Sequence, residues 1–240
     1  MLLNSSMPPK PKEIYNALRL AHGEVALPPG DLFSYCLREI CSFHTIEPKA
    51  EAAFHALSEI GNSPAALARA RPARLKSALA KAGPFVGDRL SSLQGLLRLV
   101  HRDLGGDFGS LFKRSRLEVK KLLKSVPGFG DHGSDRLMLL SGRHPILALD
   151  THGLRVALRL GYGETKRSYG ATYASVQREL APLVGEDPNS HFRLRELLRV
   201  HGREVCRMDG PLCEVCPLSS SCAYHARAQQ PMAETIRFAT

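Results

Sequence analysis

Four of the six cysteines in this chain, Cys206, Cys213, Cys216 and Cys222, fall within 17 residues, spaced C-x6-C-x2-C-x5-C. Four thiols so close in sequence have to converge, and where disulfides do not form the reason for convergence is a metal centre. The first residues, MLLNSSMPPKPK, have no basic n-region and no sustained apolar h-region, so a secretory signal is not expected and the compartment reads as reducing. Four-cysteine sites hold either Zn²⁺ or an iron–sulfur cluster. Structural zinc usually uses two C-x2-C knuckles, and here only Cys213 and Cys216 form one. The longer gaps favour a larger cubane over a single ion. Cys36 and Cys41 lie five apart among apolar neighbours and read as ordinary buried thiols.

The rest of the chain reads as helix. Apolar residues recur at helical spacing over 31–41, 51–60, 74–82, 89–100, 117–126, 134–140, 152–160, 169–183 and 192–201. Ser63 followed by Pro64 suits an N-cap with proline at the first helical position. Pro127 stops the helix before it. The one strand-like run, 146–149, is too short to count. The expected fold class is all-α with short loops, and no apolar run approaches the length of a membrane span.

Charge narrows the partners. The formal net charge is +10, and the segment 64–125 alone holds 14 basic residues against four acidic ones, so the remainder sums to zero. An evenly solvated surface would spread its charge. A concentrated basic segment points to a polyanion, nucleic acid before others.

Residues 122–140 read LLKSVPGFGDHGSDRLMLL. Pro127 ends one helix, Gly128-Phe129-Gly130 makes a tight turn, and a second helix follows. Two glycines let a backbone approach an anion, and the second helix offers its free N–H groups at the same place. Such a clamp grips phosphate without reading bases. Lys120, Lys121 and Lys124 precede it. Downstream, Ala148-Leu149-Asp150-Thr151-His152 places Asp150 after an apolar run and before a helix, where local logic makes it an N-cap.

A hairpin reading V-P-G-F-G, a downstream L-D-T-H, and the C-x6-C-x2-C-x5-C array together resemble the endonuclease III family, helix–hairpin–helix DNA glycosylases of base-excision repair. The resemblance covers residues 13 to 225. It implies two all-α lobes with a DNA-binding cleft between them: a six-helix barrel over 31–147, with the helix–hairpin–helix at 117–140, and a cluster lobe from 1–30 and 148–240. Within the latter, 1–12 and 226–240 are expected as loose tails. It makes Cys206, Cys213, Cys216 and Cys222 the ligands of a 4Fe–4S cluster and Asp150 the catalytic aspartate. The implied partner is double-stranded DNA with a damaged base flipped out. A monomer in the cytoplasm, on the nucleoid if the source is bacterial, is what such a protein implies.

The departures from the family are informative. Bifunctional members carry a lysine two residues after the second glycine of the hairpin, and here that place holds His132. The interval to Asp150 is the family's own. A lysine amine attacks the sugar C1′ and forms a Schiff base; an imidazole forms no stable iminium. Hydrolysis remains, with Asp150 stabilising an oxocarbenium-like transition state and His132 positioning water or contacting phosphate. His44, in Ser42-Phe43-His44-Thr45, stands where the family has a glutamine that fills the space left by the flipped base. The loop between the first two cysteines is only weakly basic, leaving Arg203 and Arg207 to grip phosphate. The expected function is hydrolytic removal of damaged bases, oxidised pyrimidines first, with little or no abasic-site lyase activity. Two alternatives stay open. One is a weakly catalytic binder of damaged or branched DNA. The other is a bifunctional enzyme using another amine, with Lys120, Lys121 and Lys124 as candidates.

Overall fold

The computed structural model describes residues 7–26 and 31–229, and among these there are twelve α-helices and no strand. In chain order they are α1 (Pro11–His22), α2 (Leu32–Ser42), α3 (Glu47–Ile60), α4 (Pro64–Arg69), α5 (Pro72–Ala80), α6 (Val86–Asp103), α7 (Arg116–Lys124), α8 (Asp131–Leu140), α9 (Thr151–Leu160), α10 (Tyr169–Val184), α11 (Pro188–Glu204) and α12 (Ala223–Ala228). The chain divides into two compact units. The outer unit takes the residues up to Ala26 and those from Leu149 onwards; the inner unit ends at Ala148. Among the described residues no helix is long and apolar enough to cross a membrane.

Caps set most helix starts. Asp31 Oδ1 accepts from the Ser34 amide at 2.7 Å, and Ser63 Oγ from the Ala66 amide at 3.2 Å. At α7, Ser115 and Glu118 close a capping box, each side chain reaching the other's backbone amide. Asp187 caps α11 ahead of Pro188, which starts that helix four residues before its apolar pattern begins. α8 starts at Asp131, three residues earlier than the periodicity predicts, so His132 belongs to a helical first turn rather than to a loop.

The inner unit holds six helices of nine residues or more, together with the short α4. α2 packs on α3, α6 and α8; α5 joins α3 to α6; α7 lies along α8. Their shared core runs from Phe33 to Ile146 and includes Ile40, Leu57, Leu96, Leu123 and Met138, each 0 % exposed. Cys36 and Cys41 sit inside this core, as expected. Burial raises both thiols, Cys41 to about 12, so neither is reactive at neutral pH.

In the outer unit α9 and α11 are in intimate contact, with α1 on α11 and α10 on α1 and α9. The approach is close because position 202 is glycine. A Cβ there would lie 2.6 Å from the His152 carbonyl oxygen. The tails differ from expectation at their inner ends. Pro9 is buried and its carbonyl accepts from the Tyr162 hydroxyl, which fixes the chain before α1 begins at Pro11. α12 carries the other end to Ala228. The outer parts of both expected tails, 1–6 and 230–240, lie outside the described residues.

Candidate nucleic-acid hairpin, aspartate and cysteine centre

The hairpin between α7 and α8 is built on close contacts. Gly128 has φ +83°, and a Cβ on it would meet the Phe43 ring at 2.6 Å. Pro127 is seated against Gly95 of α6, where a Cβ would stand 2.6 Å from its Cδ. Gly130 is the N-cap of α8 and supplies no side-chain cap, so the first amides of that helix have no acceptor from their own N-cap. Phe129 points its ring inward from the turn. Its ring is 4 % exposed and meets Phe43 edge-on, centroids 5.8 Å apart. It anchors the turn to the core, and any grip on phosphate comes from backbone.

Two of the lysines have acidic partners. Lys120 Nζ lies 3.0 Å from Asp135 and 3.1 Å from Asp131, and Lys124 Nζ lies 3.0 Å from Asp131. These pairs brace α7 against α8; Lys121 and Lys124 are exposed. Burial works against the Lys120 charge, but Asp135 and Asp131 outweigh it and hold its pKa above the ordinary lysine value. Burial likewise works against the Asp131 charge, but hydrogen bonds from Lys124 and Lys120 hold that carboxyl below the usual range.

His132 has a neighbour the sequence reading missed. Its Nδ1 stands 4.0 Å from Oε1 of Glu39, and Oε2 of Glu39 accepts from Arg136 Nη1 at 2.7 Å. Glu39 is 5 % exposed on α2, among Cys36, Ile40 and Cys41. A carboxylate on the apolar face of a helix is the signal that could have found it. His44 is exposed, with φ +51°, and its ring is 5.1 Å from that of Phe85.

In the outer unit Asp150 is the N-cap of α9. Its Oδ1 accepts from the Gly153 amide at 2.8 Å, and its Oδ2 lies 3.6 Å from Arg199 Nε. The carboxylate is 19 % exposed, held by one helix end and one cation yet open to solvent. Arg203, at the end of α11, pairs with Glu204 at 3.2 Å, and Arg207 donates its Nε to the Glu204 carbonyl at 2.9 Å; both remain exposed.

Cys206, Cys213, Cys216 and Cys222 line one cavity, walled by Val205, Leu212 and Tyr224. Arg159, which the sequence reading passed over, organises its edge. Its Nη1 reaches Cys206 Sγ at 3.3 Å and the Arg207 carbonyl at 2.6 Å, while its guanidinium lies over Tyr224, 4.5 Å from the ring centroid. His201 Nε2 is 3.4 Å from Cys216 Sγ. Burial first, and then the neighbouring cysteines, push the Cys213 and Cys216 thiols up. Four thiolates ionise together in such a place only around a cationic centre. Among the described residues no three His, Cys, Asp or Glu side chains stand close enough for a single metal ion. Four cysteines lining one cavity are the donor set that an iron–sulfur cluster uses.

A helix–hairpin–helix in one unit and a four-cysteine centre in the other define a class, and comparison with known proteins agrees on it. No protein-family profile matches the chain. Endonuclease III of Thermotoga maritima is 26% identical over 197 residues, covering 82% of this chain and 85% of the relative. Endonuclease III of Rickettsia felis is 31% identical over 108 residues, which spans 45% of this chain and about half (47%) of that relative. Among solved structures, a trapped endonuclease III–DNA covalent intermediate superposes with a TM-score of 0.75 at 20% identity, over 96% of this chain and 100% of that one. A thermostable thymine-DNA glycosylase gives 0.67 at 18% identity, over 90% and 95%. Along most of its length the chain is similar in sequence to endonuclease III, and it shares the fold of the endonuclease III and thymine-DNA glycosylase structures.

Proposed function

We propose that this glycosylase works by hydrolysis alone, releasing damaged bases, oxidised pyrimidines among them, from duplex DNA and leaving the abasic strand uncut. The observation that carries the reading is the chemistry around position 132. The residue there is an imidazole. Of the nearby amines, Lys120 and Lys124 are ion-paired to α8, and the raised pKa of Lys120 keeps it an ammonium, which is no nucleophile.

Asp150 then acts as the carboxylate that offsets the positive charge developing on the sugar. The N-glycosidic bond breaks with its electron pair leaving on the base. A water oxygen bonds to C1′ and its proton passes to a base, Asp150 or His132. The uncapped amides of α8, reached across Gly128 and Gly130, hold a phosphate, with Lys121 adding charge; Arg203 and Arg207 offer cations to DNA from the outer unit. His44 fills the space left by the flipped base. Cys206, Cys213, Cys216 and Cys222 would hold a 4Fe–4S cluster, whose contribution is to tie the loop after α11 into the outer unit. The protein acts as a monomer, in the compartment that holds the DNA.

The test is a single-turnover assay on duplexes carrying thymine glycol, uracil or an abasic site, each read with and without hot alkali. Product that appears only after alkali is the expected result. Strand cleavage without alkali would overturn the hydrolytic reading. DNA binding with no product on any substrate would favour the binding protein, which the weakly basic cysteine loop and the two braced lysines also suit.

A further inference from the structure

Two exposed rings in the inner unit stand on unusual backbone. Among the described residues His44, at φ +51°, and Phe85, at φ +65°, are the non-glycine residues with positive φ. That conformation puts Cβ against the backbone and is unfavourable for an L-residue, so something must hold it. The two come from separate loops. His44 follows α2, and Phe85 is the residue immediately before α6. Their rings nevertheless lie 5.1 Å apart, tilted by 46°, and Phe85 is 53% exposed. A hydrophobic core needs neither the strain nor the exposure.

What holds them is a buried cation. Arg89, in the first turn of α6, is 0 % exposed. Its Nη2 donates to the Phe43 carbonyl at 2.6 Å and the Ala82 carbonyl at 3.2 Å; its Nη1 donates to the Gly83 carbonyl at 3.1 Å and to the Pro84 carbonyl. The Phe43 and Pro84 carbonyls belong to the peptide units that enter His44 and Phe85. One guanidinium therefore fixes the peptide planes from which both unusual φ angles are measured. A planar fork with donors on two nitrogens can bridge two loops in this way; a lysine ammonium cannot reproduce that spread. The Phe43 ring also meets Phe129 edge-on, which ties the same assembly to the hairpin.

We infer that Arg89 is a positioning residue: it locks the two loops so that the His44 and Phe85 rings stand together as one stacking surface for an unstacked DNA base. The inference rests on the proposal that duplex DNA with a displaced base is the substrate. Aromatic faces suit this because every base has a π-face to lay on them, whatever its sequence. The arrangement adds Phe85 to the single wedge residue His44 and makes the gap-filling element a pair.

The experiment uses the full chain and a duplex carrying 2-aminopurine opposite a tetrahydrofuran abasic analogue. Affinity and 2-aminopurine fluorescence are read for the wild type, for Arg89→Lys, for His44→Ala/Phe85→Ala, and for all three changes together. Lysine is used because it keeps the buried charge and with it the fold, which thermal melting checks. The wild type is expected to quench the probe by stacking. Arg89→Lys should lose the quench and weaken binding about tenfold, the scale of one base–aromatic stack. In the background lacking both rings the same Lys substitution should change affinity less than about twofold, because its effect passes through the rings. An equal loss in both backgrounds would show that Arg89 only supports the fold, and would overturn the inference while leaving the glycosylase reading intact. A wild type that binds but leaves the probe bright would do the same. A wild type that does not bind the duplex at all would overturn both.

Discussion

Restoring a lysine at position 132 should give a poor lyase, and the reason is Glu39. The His132→Lys side chain would start from the same Cβ and can bring its ammonium to the place where His132 Nδ1 now stands 4.0 Å from Glu39 Oε1, and Glu39 is buried. An ammonium 4 Å from a carboxylate gains roughly 4 kcal/mol at an effective dielectric constant near 20. Arg136, on the other oxygen of the same carboxylate, pulls the opposite way and cuts the net effect to about 1 to 1.5 kcal/mol, or about one pKa unit. An ordinary lysine already leaves only about one amine in a thousand unprotonated near pH 7.4. A further tenfold loss leaves little nucleophile. Glu39→Gln keeps a hydrogen-bond acceptor for Arg136 and removes the charge, so the His132→Lys/Glu39→Gln pair should form Schiff base about ten times faster than His132→Lys alone. Borohydride trapping on a duplex with a preformed abasic site reads this directly, in single turnover at neutral pH. The difference should shrink as pH rises towards the amine's pKa. Equal trapping by the single and double variants would refute the reasoning about Glu39, and trapping by the wild type would refute the hydrolytic assignment itself.

Asp150→Asn should abolish base release while leaving DNA affinity and melting temperature near wild type, since asparagine caps a helix about as well as aspartate; surviving base release would remove Asp150 from the chemistry. Phe129→Ala should cost about 3–5 kcal/mol in denaturant unfolding, as truncation of a ring buried to 4 % exposure implies. The milder Phe129→Leu should keep its affinity for an abasic duplex within about twofold, and a large affinity loss at undiminished stability would make Phe129 a DNA contact after all. Cys213→Ser should lower iron per purified chain to less than about half and make the region after α11 sensitive to limited protease, whereas Cys36→Ser should leave iron unchanged, because burial separates Cys36 from the cavity the other four thiols line. Unchanged iron in Cys213→Ser would rule that thiol out as a ligand.

Much of the architecture was legible because it is written in local signals. Helical spacing, Ser63-Pro64 and the Ser115/Glu118 box act within a few residues, and the structure uses each of them. The start of α1 escaped because residues 1–12 read as a tail; the Tyr162 hydroxyl, far away in sequence, holds the Pro9 carbonyl just before it. The site was legible in its residue types and less so in its partnerships. A linear charge count cannot see that α8 brings Asp131 and Asp135 opposite Lys120 and Lys124. Glu39 and Arg89 were invisible for the same reason. Each is an ordinary charged residue until the fold buries it, and only then does its set of partners reveal a task.

The departures from the bifunctional pattern belong together. A lysine at 132 and a buried carboxylate at 39 work against each other, because the carboxylate keeps the amine protonated and the ammonium competes with Arg136 for the same oxygens. An imidazole and that carboxylate do not conflict, since an imidazole N–H can face the carboxylate whether or not the ring is charged. The hairpin shows the same economy of charge. Two of its three lysines face two aspartates, and with Glu118 and Arg136 counted the segment 117–140 carries one net positive charge. A grip on phosphate there depends on the uncapped amides of α8 and on the close approach that Gly128 and Gly130 permit, rather than on side-chain cations. Backbone amides hold one phosphate in one geometry and cannot be titrated away. A hairpin that positions by backbone and a residue 132 that forms no Schiff base fit one kind of chemistry, in which DNA is held still while water takes the place of the base.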